Sequence, residues 1–435
     1  MNVPIEELTT VSDLKAFTQR AKELQKAQPD PLTSLVDLDA ATTRRLYERF
    51  YIAAPCASFG VKATASAACY IPEDLRWRLF VRQAWAIAKD RLRAPFPAGS
   101  VHPYQTGTPE ERFDYFKRAC LNHDFDSALE AAAGFLSGDT DRQLFRKRSV
   151  ELALGDTAHF GVKAVFLALA WSLAERGEWR QTLDCLFPAL HFMVLADHER
   201  LDDAGPTVRA AEVDKSLGLE KYQETEKSLL WGSAQQASAA VDALAASGAG
   251  ARQLYDALLL ACAQAVINSN AGNWADPVRV FQLIFLCGGL ESATGQPLRY
   301  LRTTALLLNK AARGSAETTE NRPVDDVLSR VCPTDPIGVL RSVVSHSDPH
   351  ASATAVLAGL GMPDDRREEV LRTLCAQAIK NDAACSCSHD ILYVGQAIDT
   401  WRACQWPNRD LLPASAAYLI GRLPKNYELA AEYGV

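Results

Sequence analysis

The sequence predicts an all-α protein, an irregular array of about twenty short helices stacked as antiparallel pairs. Three observations predict it. Apolar residues recur at three- and four-residue spacing in segment after segment of a chain rich in Ala and Leu, the mark of one buried helix face. Period-two alternation bounded by turn residues, which would mark strands, is almost absent. The connections between periodic segments are short and polar, so successive helices fold back on one another.

In chain order the pattern places helices at 11–26, where Leu14, Phe17, Ala21 and Leu24 share a face, then at 39–50, 72–91, 109–121, 126–136 and 141–154. Further helices follow at 157–176, 179–186 and 188–200. The stretch 202–228 is polar and punctuated by Gly205, Pro206 and Gly218, and reads as a lid or an insertion. Beyond it the spacing resumes at 233–246, 251–268, 276–286 and 296–312, the last carried by Leu301, Ala305, Leu308 and Ala312. After a second break at 314–323 come 324–331, 337–345, 349–360, 365–380, 388–403 and 412–421. A helical array has no point at which its core must end. Residues 1–150 are therefore expected to pack with residues 151–435, which carry the chemistry, as one large domain.

With 435 residues, 48% of them hydrophobic, 23% charged and no run of eighteen apolar residues, the chain is expected to be soluble and able to bury a core without disulfides or a structural metal. A balance of 46 basic against 53 acidic residues, net -7, argues against nucleic acid or an anionic membrane as the main partner. The basic cluster of Arg142, Arg146, Lys147 and Arg148 reads as a solvated helix face. The first ten residues hold Glu6 and Glu7 and no apolar export segment, and none of the eleven cysteines forms a CxxC pair. A cytoplasmic protein with reduced thiols is the expectation.

Eight histidines occur, and three stand at one local position. His159 follows Asp156 and Thr157, His350 follows Ser347, Asp348 and Pro349, and His389 follows Ser386 and Ser388. Each is expected in the first turn of an apolar helix behind a capping residue, where the helix dipole disfavours imidazolium. Neutral imidazole is the metal-ligating form. His191 and His198, seven residues apart, are expected on one face of the 188–200 helix, and His346 would converge with His350 across a helix start. Any one of these is an ordinary core or capping histidine on its own; together they suggest an imidazole-rich site suited to iron, with zinc or copper as alternatives. Cys385 and Cys387 beside His389 read as loop residues before soft ligands. Lys163, four residues after His159 and otherwise surrounded by apolar side chains, must be ion-paired, reach out to water or lose its charge. An uncharged Lys163 could take up carbon dioxide as a carbamate.

The segment Asp156-Thr157-Ala158-His159-Phe160-Gly161-Val162-Lys163-Ala164-Val165, with Leu190-His191-Phe192, Asp197-His198 and the later helix-start histidines, resembles the questin oxidase-like proteins. The resemblance covers mainly 156–200 and, less closely, 346–401. It implies an all-helical oxygenase that oxidises or opens aromatic rings in specialised metabolism, some members holding a single iron through four histidines and a carboxylated lysine. On that pattern His159 is a ligand, Lys163 the carbamate, and three of His191, His198, His346, His350 and His389 complete the set. Two features depart from the family: the spacing from His159 to Lys163 is four residues where a shorter H-x-x-K is expected, and the early double-histidine segment is absent.

The leading expectation is thus a histidine-bound non-haem iron oxygenase taking dioxygen and a hydrophobic, aromatic small molecule, with an external reductant where electrons are needed and with self-association as a further expectation. Trp171, Phe166, Phe192, Met193, Trp274, Phe281, Tyr393 and Trp401 are candidate lining residues, with plain core as their simpler reading; Asp197 or Asp390 would orient a ligand. The alternatives are a helical interaction scaffold without chemistry and a zinc hydrolase, the latter disfavoured by the absence of HExxH. No phosphate-binding loop, dinucleotide fingerprint or GxSxG elbow is present.

Overall fold

The computed structural model describes residues 5–43, 56–89, 101–179, 181–199, 208–211, 218–270, 272–292, 298–315, 333–343 and 348–433. Among them no strand occurs, and the β-type pairings are two isolated bridges, Val208 with Leu298 and Asn381 with Lys425. The all-α expectation holds. The helices are α1 (Ile5–Leu8), α2 (Leu14–Ala27), α3 (Pro31–Thr43), α4 (Cys56–Ala67), α5 (Arg76–Lys89), α6 (Pro109–Leu121), α7 (Phe125–Phe135) and α8 (Asp139–Leu154). They continue with α9 (Val162–Arg176), α10 (Thr182–Leu195), α11 (Leu219–Trp231), α12 (Ala234–Ala246), α13 (Ala251–Asn268), α14 (Ala275–Ser292) and α15 (Leu301–Ser315). The last are α16 (Pro336–Val343), α17 (Pro349–Leu360), α18 (Asp364–Ile379), α19 (Ala383–Ser386), α20 (His389–Ala403), α21 (Leu411–Arg422) and α22 (Tyr427–Tyr433).

Local chemistry explains many starts. At α6 the Thr108 hydroxyl accepts from Glu111 N at 3.2 Å while the Glu111 carboxylate accepts from Thr108 N at 2.8 Å, with Pro109 at the first helical position. Ser233 and Gln236 repeat the arrangement at α12. Asp348 caps α17 by accepting from Ala351 N, as its place before Pro349 and His350 predicts.

Four helices distant in sequence form the centre: α4, α9, α14 and α20 pack in a ring, each against the next. Outside them lie antiparallel partners, α3, α10, α13 and α21. The ring helices run the same way. At one end Phe59 of α4 meets Phe166 of α9 and His389 of α20; at the other, Arg176 of α9 donates to Ala65 O and Cys69 Sγ, and Tyr70 packs against Phe285 of α14 and Gly395 of α20. One apolar core extends from Phe59 to Leu423, and a second, smaller one joins the first helices and α5 to Leu429. The stretch Ala158–Arg176 is the one helical segment, among the described residues, long and apolar enough to cross a membrane. Here it includes α9, which is enclosed by α4, α8, α10 and α14.

Several expected boundaries change. The sequence reading left 51–71 without a helix, yet α4 is central; its Ala- and Ser-rich stretch offers few large apolar residues to show a period. The expected helix at 39–50 begins earlier, at Pro31, and its second half lies outside the described residues. The 179–186 and 188–200 helices are one, α10, which runs through Pro188 and stops at Leu195. Burial of the residues around Pro188 outweighs the single backbone bond a proline removes. In the 202–228 stretch, residues 201–207 and 212–217 lie outside the described set, Val208 pairs with Leu298, and 219–228 belong to α11, whose Tyr222, Thr225, Leu229 and Leu230 are buried. The expected helix at 324–331 also falls outside it. Arg146 and Arg148 lie on a partly solvated face, ion-paired to Glu175 and Glu110, whereas Arg142, expected there too, is largely covered, paired to Asp139 and stacked over Trp179. Among the described cysteines eight are free, but Cys387 is disulfide-bonded, which corrects the expectation of reduced thiols throughout.

Candidate functional site

A dense polar network lies where the chain enters α9. Asp156 is saturated: Oδ1 accepts from Ala158 N and Glu199 N, each at 3.1 Å, and Oδ2 accepts from Lys163 Nζ at 2.8 Å and His198 Nδ1 at 2.6 Å. Thr157 N donates to Glu199 O at 2.7 Å, so 156–158 and 196–199 are joined side by side. Burial alone would raise the Asp156 carboxyl, but the Lys163 ammonium and the two backbone N–H groups outweigh it and hold the group below the usual carboxylate range. His198, Cys120 and Met193 line a small crevice beside this carboxylate.

Lys163 is fully buried and donates to Asp156, to Ala196 O at 3.0 Å and to Asp197 O at 2.7 Å. Three acceptors match the three N–H bonds of an ammonium. A carbamate there would lose two of those donors and set a second carboxylate against Asp156. The ion-pair reading of Lys163 describes the geometry.

His159 does not occupy a helical first turn, as was expected, and Asp156 does not cap α9. His159, Phe160 and Gly161 take left-handed φ values of 53°, 59° and 75°, and α9 starts only at Val162. Two non-glycine residues in that region cost of order 1–2 kcal/mol each, and the Asp156 network is what holds them. Gly161 is required for a second reason, because a Cβ there would lie 2.5 Å from the Leu283 side chain of α14. Gly161→Ala is expected to destabilise the fold by about 2 kcal/mol or more, from φ strain plus overpacking, read as a lower urea midpoint.

His389 stands at the first position of α20 behind Cys387 and Ser388, also left-handed. Its Nδ1 is 2.7 Å from Gln282 Oε1, while Gln282 Nε2 donates to His389 O at 3.0 Å. Because Gln282 uses its NH2 on the carbonyl, its oxygen must accept, so Nδ1 carries the proton and Nε2 is left as an acceptor. Burial, reinforced by the positive charge of Arg279, pushes the His389 imidazole down to about 3. His159 is also held below its usual value, by burial and then by Lys163 and Arg279.

Between these two histidines runs a chain of ring contacts. His159 lies 5.6 Å from Phe192, Phe192 lies 6.4 Å from Phe166, Phe166 lies 5.5 Å from Phe59, and Phe59 lies 4.2 Å from His389, centroid to centroid. On the remaining side stands α14, where Gln282 holds His389 and Leu283 meets Gly161, with Arg279 one turn earlier.

The other histidines lie elsewhere. His191 is buried in a box with Phe125 and Phe187, ring centroids 4.9 and 6.4 Å away, and burial pushes its imidazole down to about 4. His198 is not on the same helix face as His191: α10 has ended, because Ala196 is extended and Lys163 ties down the carbonyls of Ala196 and Asp197. His350 is exposed at the start of α17, its ring 5.2 Å from Tyr418, and His346 lies outside the described residues. Among the described residues no three His, Cys, Asp or Glu side chains converge on a point that could hold an ion. The donor set implied by the resemblance therefore does not fit a single iron here: Lys163 is spent on three acceptors, His191 is closed in by phenylalanines, and His350 belongs to an outer helix. Asp390 likewise orients no histidine, being bound to Arg82.

Because His191 and His389 are neutral when folded, the unfolded chain binds more protons than the folded one below the ordinary histidine value. Stability should be full above about pH 6.5 and fall as pH drops toward 4, by up to about 1.4 kcal/mol per pH unit for each histidine. Urea titrations across that range check this, and His191→Phe should flatten the slope.

Sequence reasoning missed Phe59, Arg279 and Gln282. A signal for α4 was present: Ser58-Phe59-Gly60-Val61-Lys62-Ala63 repeats His159-Phe160-Gly161-Val162-Lys163-Ala164. The lysines correspond in chemistry, since Lys62 is fully buried and paired to Asp39 at 2.6 Å as Lys163 is to Asp156.

The chain has no significant match among protein-family models, curated proteins or solved structures.

Proposed function

We propose that this chain is an enzyme that oxidises a flat, hydrophobic small molecule at the start of its central helices, with neutral histidines rather than a completed iron site at its working end. The observation that carries this reading is the arc His159, Phe192, Phe166, Phe59, His389, which brings residues 230 positions apart onto one end of the ring. Phenylalanine rings suit an aromatic substrate, and the neutral His389 imidazole, with its proton on Nδ1, would offer Nε2 as a hydrogen-bond acceptor to a phenol. A phenol so hydrogen-bonded is more electron-rich and gives up electrons to dioxygen more readily than a free one. Oxidation as the reaction class comes from the resemblance; the arc of rings and the Nε2 acceptor support the aromatic substrate class.

The test is oxygen uptake by the purified, untagged chain with a panel of polycyclic phenols and anthrones, beside His159→Ala and His389→Ala, with iron content measured in parallel. Uptake above the uncatalysed rate, reduced about ten-fold or more in His389→Ala with the fold retained, is the expected result. No uptake with any member, or equal uptake by the variants, overturns the reading. Near-stoichiometric iron lost in both variants would restore the metal-held form of the oxygenase.

A second reading, a helical scaffold without chemistry, is favoured by one observation: Phe59 and Phe166 are closed to solvent and His389 nearly so, as core residues would be. It expects no uptake and no ligand.

A further inference from the structure

We propose that the site takes its aromatic ligand as an anion, a carboxylate or phenolate, whose charge is received by Arg279 at the rim of the arc. This deepens the aromatic-site reading and rests on it. Arg279 lies one turn before Gln282 and Leu283, on the face of α14 that holds His389 and meets the His159 turn. Both histidines feel its charge. It is a poorly neutralised cation: Asp276, three residues earlier on the same helix, is its ion-pair partner at 3.4 Å, with each side chain about a third exposed, and the buried Arg279 Nε has no partner among the described residues. A guanidinium whose one ion-pair contact is long is incompletely paired, and a planar carboxylate or a phenolate oxygen would supply an acceptor to its partly solvated terminal nitrogens.

The surroundings favour an anion over a neutral ligand. The flanking imidazoles carry no positive charge of their own at pH 7 to share the task, and Lys163 is already neutralised by Asp156. The starts of α4, α9 and α20 lie at this end of the ring, and their N-terminal partial charges add to the positive potential. A flat ring set beside the partly exposed His159 and Phe160 would leave its anionic group at the rim, where Arg279 remains partly solvated and can exchange water for ligand.

The experiment is isothermal titration of the full chain with two probes of the same ring system, 2-naphthoate and 2-naphthalenemethanol, repeated on Arg279→Gln and Arg279→Lys. Arg279 is partly exposed and its ion-pair partner Asp276 is within its own helix, so both variants should fold. The expected result is that 2-naphthoate binds the parent and loses about ten-fold or more in Arg279→Gln, with partial retention in Arg279→Lys, while the alcohol binds parent and variant alike. If both probes bind and Arg279→Gln changes neither, the anionic inference is overturned and the aromatic-site reading stands. If neither probe binds the parent, the aromatic-site reading falls and the inference with it.

Discussion

Replacing Arg82 by leucine is expected to destabilise the folded chain by about 3–5 kcal/mol, among the largest effects available to a single substitution here. Arg82, on α5, is 2% exposed and joins α5 to the segment leading into α20. Its Nε donates to Asn381 O at 2.9 Å, one terminal nitrogen donates to both Asp390 oxygens at 2.9 Å, and Ser386 and Ser388 are within 3.4 Å of its terminal nitrogens. Burial would drive the fully enclosed Asp390 carboxyl upward, but Arg82, Ser386 and Asn381 together hold it below the usual carboxylate range. Leucine fills much of the volume and leaves that carboxylate with neutral donors alone. An uncompensated buried charge is what makes breaking such a pair costly, whereas removing both partners is much less so. The double variant Arg82→Leu/Asp390→Leu should therefore recover part of the loss in urea denaturation. A loss under about 1 kcal/mol for Arg82→Leu alone would refute the account. Since Asp390 follows His389 directly, the same substitution should also reduce any oxygen uptake that depends on His389.

Lys163→Met is expected to cost a similar amount, about 3–5 kcal/mol, through a different consequence. It removes the ammonium from Asp156 and also frees the carbonyls of Ala196 and Asp197, so the 196–199 connection loses its attachment to α9. The left-handed turn at His159 and Phe160 is held by the same carboxylate, through Ala158 N. The variant should therefore unfold at lower urea and show faster amide exchange at 157–161 than elsewhere in the chain. Asp156→Asn in the Lys163→Met background should change stability less than Asp156→Asn alone, the non-additivity of two groups in one network. Uniformly slow exchange through 157–161 in Lys163→Met would show that the turn does not depend on Lys163.

Much of the fold was legible because helical periodicity is a local property. Leu301, Ala305, Leu308 and Ala312 share a buried face whatever they pack against, and α15 contains all four, although it begins five residues after the expected start at 296. Asp348 before Pro349 marks a helix start through a hydrogen bond spanning three residues, and it was right. Local reasoning failed where distant groups compete for the same atoms. Asp156 precedes an apolar helix as a cap would, but Lys163, His198 and Glu199 N claim it, and the helix begins six residues later after a left-handed turn. The seven-residue spacing of His191 and His198 would place them on one helix face, but α10 stops between them because Lys163 binds the carbonyls that follow.

By itself the sequence determined that this chain is helical, and it narrowed Lys163 to an ion pair, a side chain reaching out to water or an uncharged amine. These follow from composition and from spacings within a few residues, where the backbone geometry of a helix dictates which side chains are neighbours. Only the tertiary structure decided that Lys163 is an ion-paired ammonium, that His159 and His389 share one end of a ring while His191 and His350 do not, and that the charge of Arg279 reaches both. Those outcomes depend on which helix faces meet across more than a hundred residues of chain, and that is set by the mutual packing of α4, α9, α14 and α20 rather than by any local pattern.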